Sequence, residues 1–192
     1  MKSLSISPGA ILLFSAVYFF GGAEELAALL LSVLAHEAGH IAAIRLFGGR
    51  LHGLNVSASG LCIRYTGAGT VISELICALS GPAAGFVLAY AASHLGGTLM
   101  LETAGLSLVL SVYNLLPALP LDGGRALECI LTALADPVCA GRVMSIIGFV
   151  TGTALIALGL YFMHELSGAA VFISGIIVLF AQTGIVKSLN ML

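Results

Sequence analysis

His36 and His40 stand four residues apart in the stretch Ala-His-Glu-Ala-Gly-His-Ile, residues 35–41. On a helix that spacing puts both imidazoles on one face, one turn apart. Two neutral imidazoles so placed can share one zinc ion, and Glu37 beside them can take a proton from the water such an ion polarises. The flanks set the environment. Residues 26–34 are apolar apart from Ser32, and residues 41–47 are apolar apart from Arg45. Ionisable groups inside a hydrophobic span cost roughly 2.5–3.5 kcal/mol or more each, and a metal ion would compensate them. The bland alternative is two unrelated histidines and a chance glutamate on a polar helix face, but the rest of that face is not polar.

A second informative stretch reads Asn114-Leu-Leu-Pro-Ala-Leu-Pro-Leu-Asp-Gly-Gly-Arg125. Pro117 and Pro120 end a helix and favour extended backbone, and Gly123 and Gly124 allow tight geometry after Asp122. A catalytic zinc takes three protein ligands and keeps one position open. His36 and His40 supply two, and Asp122 is the natural third. Its alternative role is the N-cap of a short helix over residues 123–135.

Composition places these groups in a membrane. Hydrophobic residues make up 59% of the 192 residues and charged residues 8%, with mean hydropathy +1.12. Soluble domains carry about 25% charged residues. The length leaves room for one bundle of about six spans of ~20 residues. A net charge of −2 with no basic run gives no sign of nucleic-acid binding, so no nucleic-acid partner is expected. Cys62, Cys77, Cys129 and Cys139 lack metal-binding spacing and read as small packing residues.

The elements that must hold the site follow in order. Residues 4–20 form a first span, or alternatively a signal peptide with Gly21-Gly22-Ala23 as its cleavage site. Glu24 and Glu25 open a second helix, after a tight hairpin, that runs to Phe47 and stops at Gly48-Gly49. Residues 50–70 are too polar and glycine-rich to span. Alternation at Val56, Ala58, Leu61, Ile63 and Tyr65 predicts two short strands around Ser59-Gly60, the alternative being a plain connecting loop; His52 there reads as a solvated residue. A third helix from Glu74 to Leu95 carries Ser80-Gly-Pro-Ala-Ala-Gly85, a fourth covers residues 99–116, and accessory spans cover 143–163 and 168–186. The predicted fold is an all-α membrane protein: one domain over 1–192, a six-transmembrane-helix bundle with a short membrane-associated β-hairpin between helices 2 and 3, its catalytic core at 26–128.

Charges orient this bundle. With a cytoplasmic N-terminus and six alternating spans, Lys2, Arg45, Arg50, Arg64, Arg125, Arg142 and Lys187 all fall on the cytoplasmic side, and Glu24, Glu25, His94, Glu102, His164 and Glu165 on the other. Positive residues favour cytoplasmic loops, so both termini are expected in the cytoplasm, in a bacterial plasma membrane.

His-Glu-x-x-His in one span, Gly-Pro in the next, and Asn-x-x-Pro followed by Leu-Asp-Gly at the end of a third together resemble the site-2 protease family, zinc metalloproteases that cut other proteins within the membrane. The resemblance implies His36, His40 and Asp122 as ligands of Zn2+, Glu37 as catalytic base, and Asn114 as a catalytic residue that holds the substrate or its oxyanion. It also implies a strand-rich membrane-associated segment at 50–70. The layout is most similar to the stage IV sporulation protease branch, whose members carry a nucleotide-sensing CBS domain after the last span. Nothing of that kind follows the last span in these 192 residues.

The partners implied are a membrane-protein substrate, the lipid bilayer and a regulatory membrane protein. A second class stays open: an inactive zinc-binding homologue that holds clients, or a metal carrier. An intact Glu37 speaks against the first. The lack of an internal repeat, and of polar residues on several spans, speaks against the second.

Overall fold

The computed structural model describes residues 3–6, 8–57, 60–66, 70–163 and 166–189, with side chains at 11–12, 14–50, 70–163 and 171–183. The chain divides into two compact units, Met1–Tyr113 and Asn114–Leu192. Among the described residues there are six helices and three short strands.

The first unit opens with β1 (Ser3–Ile6), which pairs in parallel with β2 (Arg50–Ser57); β2 pairs antiparallel with β3 (Gly60–Thr66), giving the order β1-β2-β3. A strand at 3–6 replaces the start of the helical span read from Leu4. A short apolar run does not by itself distinguish helix from strand. Ala58 and Ser59, and the side chains of His52, Cys62 and Arg64, lie outside the described residues, as do Lys2, His164, Glu165 and the side chain of Lys187.

Helix α1 (Pro8–Leu46) contains both spans read as a hairpin. Gly22 leaves helical geometry with φ +87° and ψ −171°, a conformation open to glycine. Helix therefore continues on both sides of a single residue, with no linking loop. The C-terminal stop is a Schellman motif: Gly49 N–H donates to Ile44 O at 2.8 Å and Gly48 N–H to Arg45 O at 3.0 Å, with Gly48 at φ +75°.

Helix α2 (Val71–Ser93) begins at a capping box in which Ser73 N–H donates to the Thr70 hydroxyl. Gly96 and Gly97, both at positive φ, turn the chain into α3 (Thr98–Asn114). α1 and α3 are joined inside the unit by buried hydroxyls: Ser107 Oγ donates to Ser32 Oγ at 2.9 Å, and Ser32 Oγ to Ala28 O at 2.8 Å.

The second unit holds α4 (Asp122–Leu134), α5 (Pro137–Tyr161) and α6 (Leu166–Leu189). α5 starts six residues earlier than the apolar run suggested. Asp136 caps it by accepting from Val138 N–H at 2.8 Å and Cys139 N–H at 3.2 Å, and Pro137 fills the first turn. α5 and α6 meet through glycines: Gly152 faces Leu179 and the Gly175 carbonyl, and Gly159 faces the backbone of Phe172. Small residues let membrane helices approach closely.

Three described helices are long and apolar enough to cross a membrane: Phe14–Leu46, Val71–Ser93 and Pro137–Tyr161. Large apolar side chains such as Phe19, Phe20, Val87, Tyr90 and Phe180 face outward, each more than half exposed. In water such a surface would drive aggregation; in lipid it is the contact surface. The chain is an integral membrane protein.

Candidate metal centre

His36 and His40 lie on α1 and are 4% and 6% exposed, so each is withdrawn from lipid and water alike. Their Nε2 atoms are 3.2 Å apart. Ligands of a tetrahedral zinc with Zn–N distances of about 2.0–2.1 Å are separated by about 3.4 Å. The pair thus converges at the spacing that one zinc requires.

A bond to the backbone sets the tautomer of His40. Nδ1 lies 2.7 Å from the Cys77 carbonyl of α2. A carbonyl only accepts, so Nδ1 carries the proton and donates it, and Nε2 keeps its lone pair toward His36. This is the outer-shell support common to metal-binding histidines.

The α1–α2 contact owes its closeness to two glycines. A Cβ at Gly39, inside the histidine motif, would overlap the Ser80 carbonyl and the Ala84 methyl. A Cβ at Gly81 would overlap the His40 imidazole. Pro82, buried next to Gly81, lacks an N–H and leaves the Ala78 carbonyl without its helical donor. The Ser80-Gly-Pro stretch therefore does more than general small-residue packing: it clears the space His40 occupies. The spacing of Gly39 and Gly81 was visible in the sequence, but the acceptor, a carbonyl 37 residues from His40, left no signal there.

Glu37 is half-buried on α1 between the histidines. In the second unit Asp122 is 7% exposed and is the first residue of α4. The N-cap position belongs to Leu121, which makes no side-chain cap bond, so the N-cap role weighed for Asp122 does not hold. Asp122 Oδ1 lies 3.9 Å from the Arg125 guanidinium, and Arg125 is the more exposed of the pair. Asn114 is the last residue of α3 and is half-buried.

The turn before Asp122 differs from the extended backbone read from its prolines. Ala118 N–H donates to Leu116 O at 2.8 Å and Leu121 N–H to Ala118 O at 2.9 Å, so residues 116–121 fold back on themselves. A proline fixes φ but leaves the following torsion free to turn. Gly123 and Gly124 seat α4 directly on that turn. A Cβ at Gly123 would overlap the Leu115 carbonyl, and one at Gly124 would overlap the backbone of Ala118 and Leu119.

The donor types are two imidazoles and a carboxylate, all buried. This is a set that zinc accepts in catalytic sites.

No family model matches the chain. Over 162 residues, 75% of the chain, it is 33% identical to the Mycobacterium tuberculosis protein named "Putative zinc metalloprotease Rip3", in both the Erdman and H37Rv strains. The chain spans about 40% of the length of these curated relatives. The solved Site-2 Protease from Methanocaldococcus jannaschii matches its fold with a TM-score of 0.74, covering 94% of this chain and 89% of that one at 21% identity. The chain shares the fold of that structure. Zinc and metalloprotease activity stand in the printed name of the Mycobacterium tuberculosis relatives.

Proposed function

We propose that the chain is an intramembrane zinc metalloprotease that cuts transmembrane or membrane-associated proteins, with His36, His40 and Asp122 as ligands. The observation that carries this reading is the convergence of two buried Nε2 atoms at 3.2 Å, one of them fixed by the Cys77 carbonyl. Bound zinc would polarise the peptide carbonyl and bring the pKa of its water to about 7. The remaining work falls to this chain's own residues. Glu37 takes a proton from the attacking water and returns it to the leaving amine. Asn114 donates a side-chain N–H to the carbonyl oxygen as negative charge grows there.

A substrate helix must unwind before its peptide bonds can be cut, and its freed backbone groups need new partners. Strand pairing supplies them. β2 lies between β1 and β3, so a substrate would add to an outer edge of the sheet and not to β2. The same reading includes six crossings, a sheet held at the membrane, and both termini in the cytoplasm, supported by the seven cations that fall on one side of that layout.

Asp122→Ala tests the ligand set. The variant is expected to insert in the membrane, to lose zinc, and to lose cleavage of co-expressed single-span proteins. Full zinc occupancy with normal cleavage would falsify Asp122 as a ligand.

A further inference from the structure

Gln182 is a polar residue in the apolar helix α6, and it is 3% exposed. Burying an amide without partners costs on the order of 2–7 kcal/mol, depending on the reference state, so its bonds show what it is retained for. Its Nε2 donates to the Leu119 carbonyl at 2.9 Å and, more weakly, to Val178 O of its own helix at 3.3 Å. The own-helix bond needs no particular neighbour. The bond to Leu119 crosses 63 residues of sequence to the turn that precedes Asp122.

That turn is short of donors, because Pro117 and Pro120 contribute no N–H. Gln182 supplies one from outside. Room for it comes from Gly148 on α5, where a Cβ would overlap the Gln182 amide. The turn in turn carries α4, since Gly124 packs on the backbone of Ala118 and Leu119. A continuous mechanical path therefore runs from the Gln182 amide through the Leu119 carbonyl and the 116–121 turn to the first residue of α4, Asp122.

We propose that Gln182 is a positioning residue for the metal centre: it clamps the turn that aims the Asp122 carboxylate, and thereby governs how tightly zinc is retained. This rests on the reading of Asp122 as a ligand. Outer-shell partners of metal ligands typically affect affinity by about 10–100-fold.

The test uses the full chain in detergent with two variants. Gln182→Met keeps the length of the side chain and removes the amide. Gly148→Ala leaves Gln182 in place and pushes its amide off the Leu119 carbonyl. Zinc loss to a chelator, amide hydrogen exchange over residues 115–121 in the metal-free protein, and thermal unfolding are followed together. The expected result for both variants is zinc release about 10–100-fold faster and faster exchange in the turn while the chain stays folded, with a lower melting temperature for Gly148→Ala, which overpacks the contact and strands a buried amide. Zinc release at the wild-type rate from folded variants would overturn the proposal and leave the protease reading standing. Unchanged exchange in the turn would overturn the clamp itself. A wild-type chain that takes up no zinc would sink the protease reading and the positioning role with it.

Discussion

The α1–α2 contact and the α5–α6 contact use one device for different ends. In each, a glycine lets a buried polar side chain reach a backbone carbonyl. At α1–α2, Gly81 makes room for His40, whose Nδ1 donates to Cys77 O at 2.7 Å. At α5–α6, Gly148 makes room for Gln182, whose Nε2 donates to Leu119 O at 2.9 Å. The first bond orients a group with a lone pair to give. The second orients a turn and leaves no reactive atom exposed. Close helix packing in a membrane thus makes polar reach affordable in both places, and the side chain decides whether the result is a site or a brace.

Substitutions at the two contacts should separate these roles. The largest effect is expected from Gly81→Val, which drives a branched side chain into the His40 imidazole. Zinc content should fall to background while the chain still inserts. Gly152→Val, on α5 against Leu179, is the matched control. It should lower stability by about 1–3 kcal/mol, the usual cost of overpacking, with zinc retained. Metal analysis and thermal unfolding of both purified variants check the contrast. Equal zinc loss in the two would erase the distinction between site and brace.

A smaller effect is expected at the hydroxyl seam between α1 and α3. Ser107→Ala removes the donor to Ser32 Oγ. Interhelical hydrogen bonds in membranes average about 0.6 kcal/mol, so stability should drop by that order and zinc should stay. Loss of zinc in this variant would mean that the seam, one turn before His36, holds the histidine pair in register.

What could be read from the sequence was local. His36 and His40 share a helix, so their separation of four fixes their convergence without knowledge of the fold. Gly48-Gly49 ended α1 because its cap motif spans six residues. The partners that make these features work are distant in sequence. The Cys77 carbonyl and the Gln182–Leu119 bond involve a backbone atom, which carries no residue signature. Two of the readings that failed did so for different reasons. Ser3–Ile6 joined the sheet because β2 offered it an edge, a tertiary choice that four apolar-alternating residues do not announce. The start of α5 was set too late because apolarity outweighed the Asp136-Pro137 cap, although that cap was legible.

The most direct test of the account is Glu37→Gln. The amide keeps the shape and hydrogen-bonding reach of the carboxylate and loses its basicity. If His36, His40 and Asp122 hold the zinc as proposed, the variant should bind zinc at the wild-type level. Cleavage of a co-expressed single-span membrane protein should fall by roughly 10²–10⁴, the contribution of a general base, and the uncut substrate should co-purify. Cleavage at the wild-type rate with zinc bound would contradict the assignment of Glu37 as the base; loss of zinc would contradict the division between ligands and base.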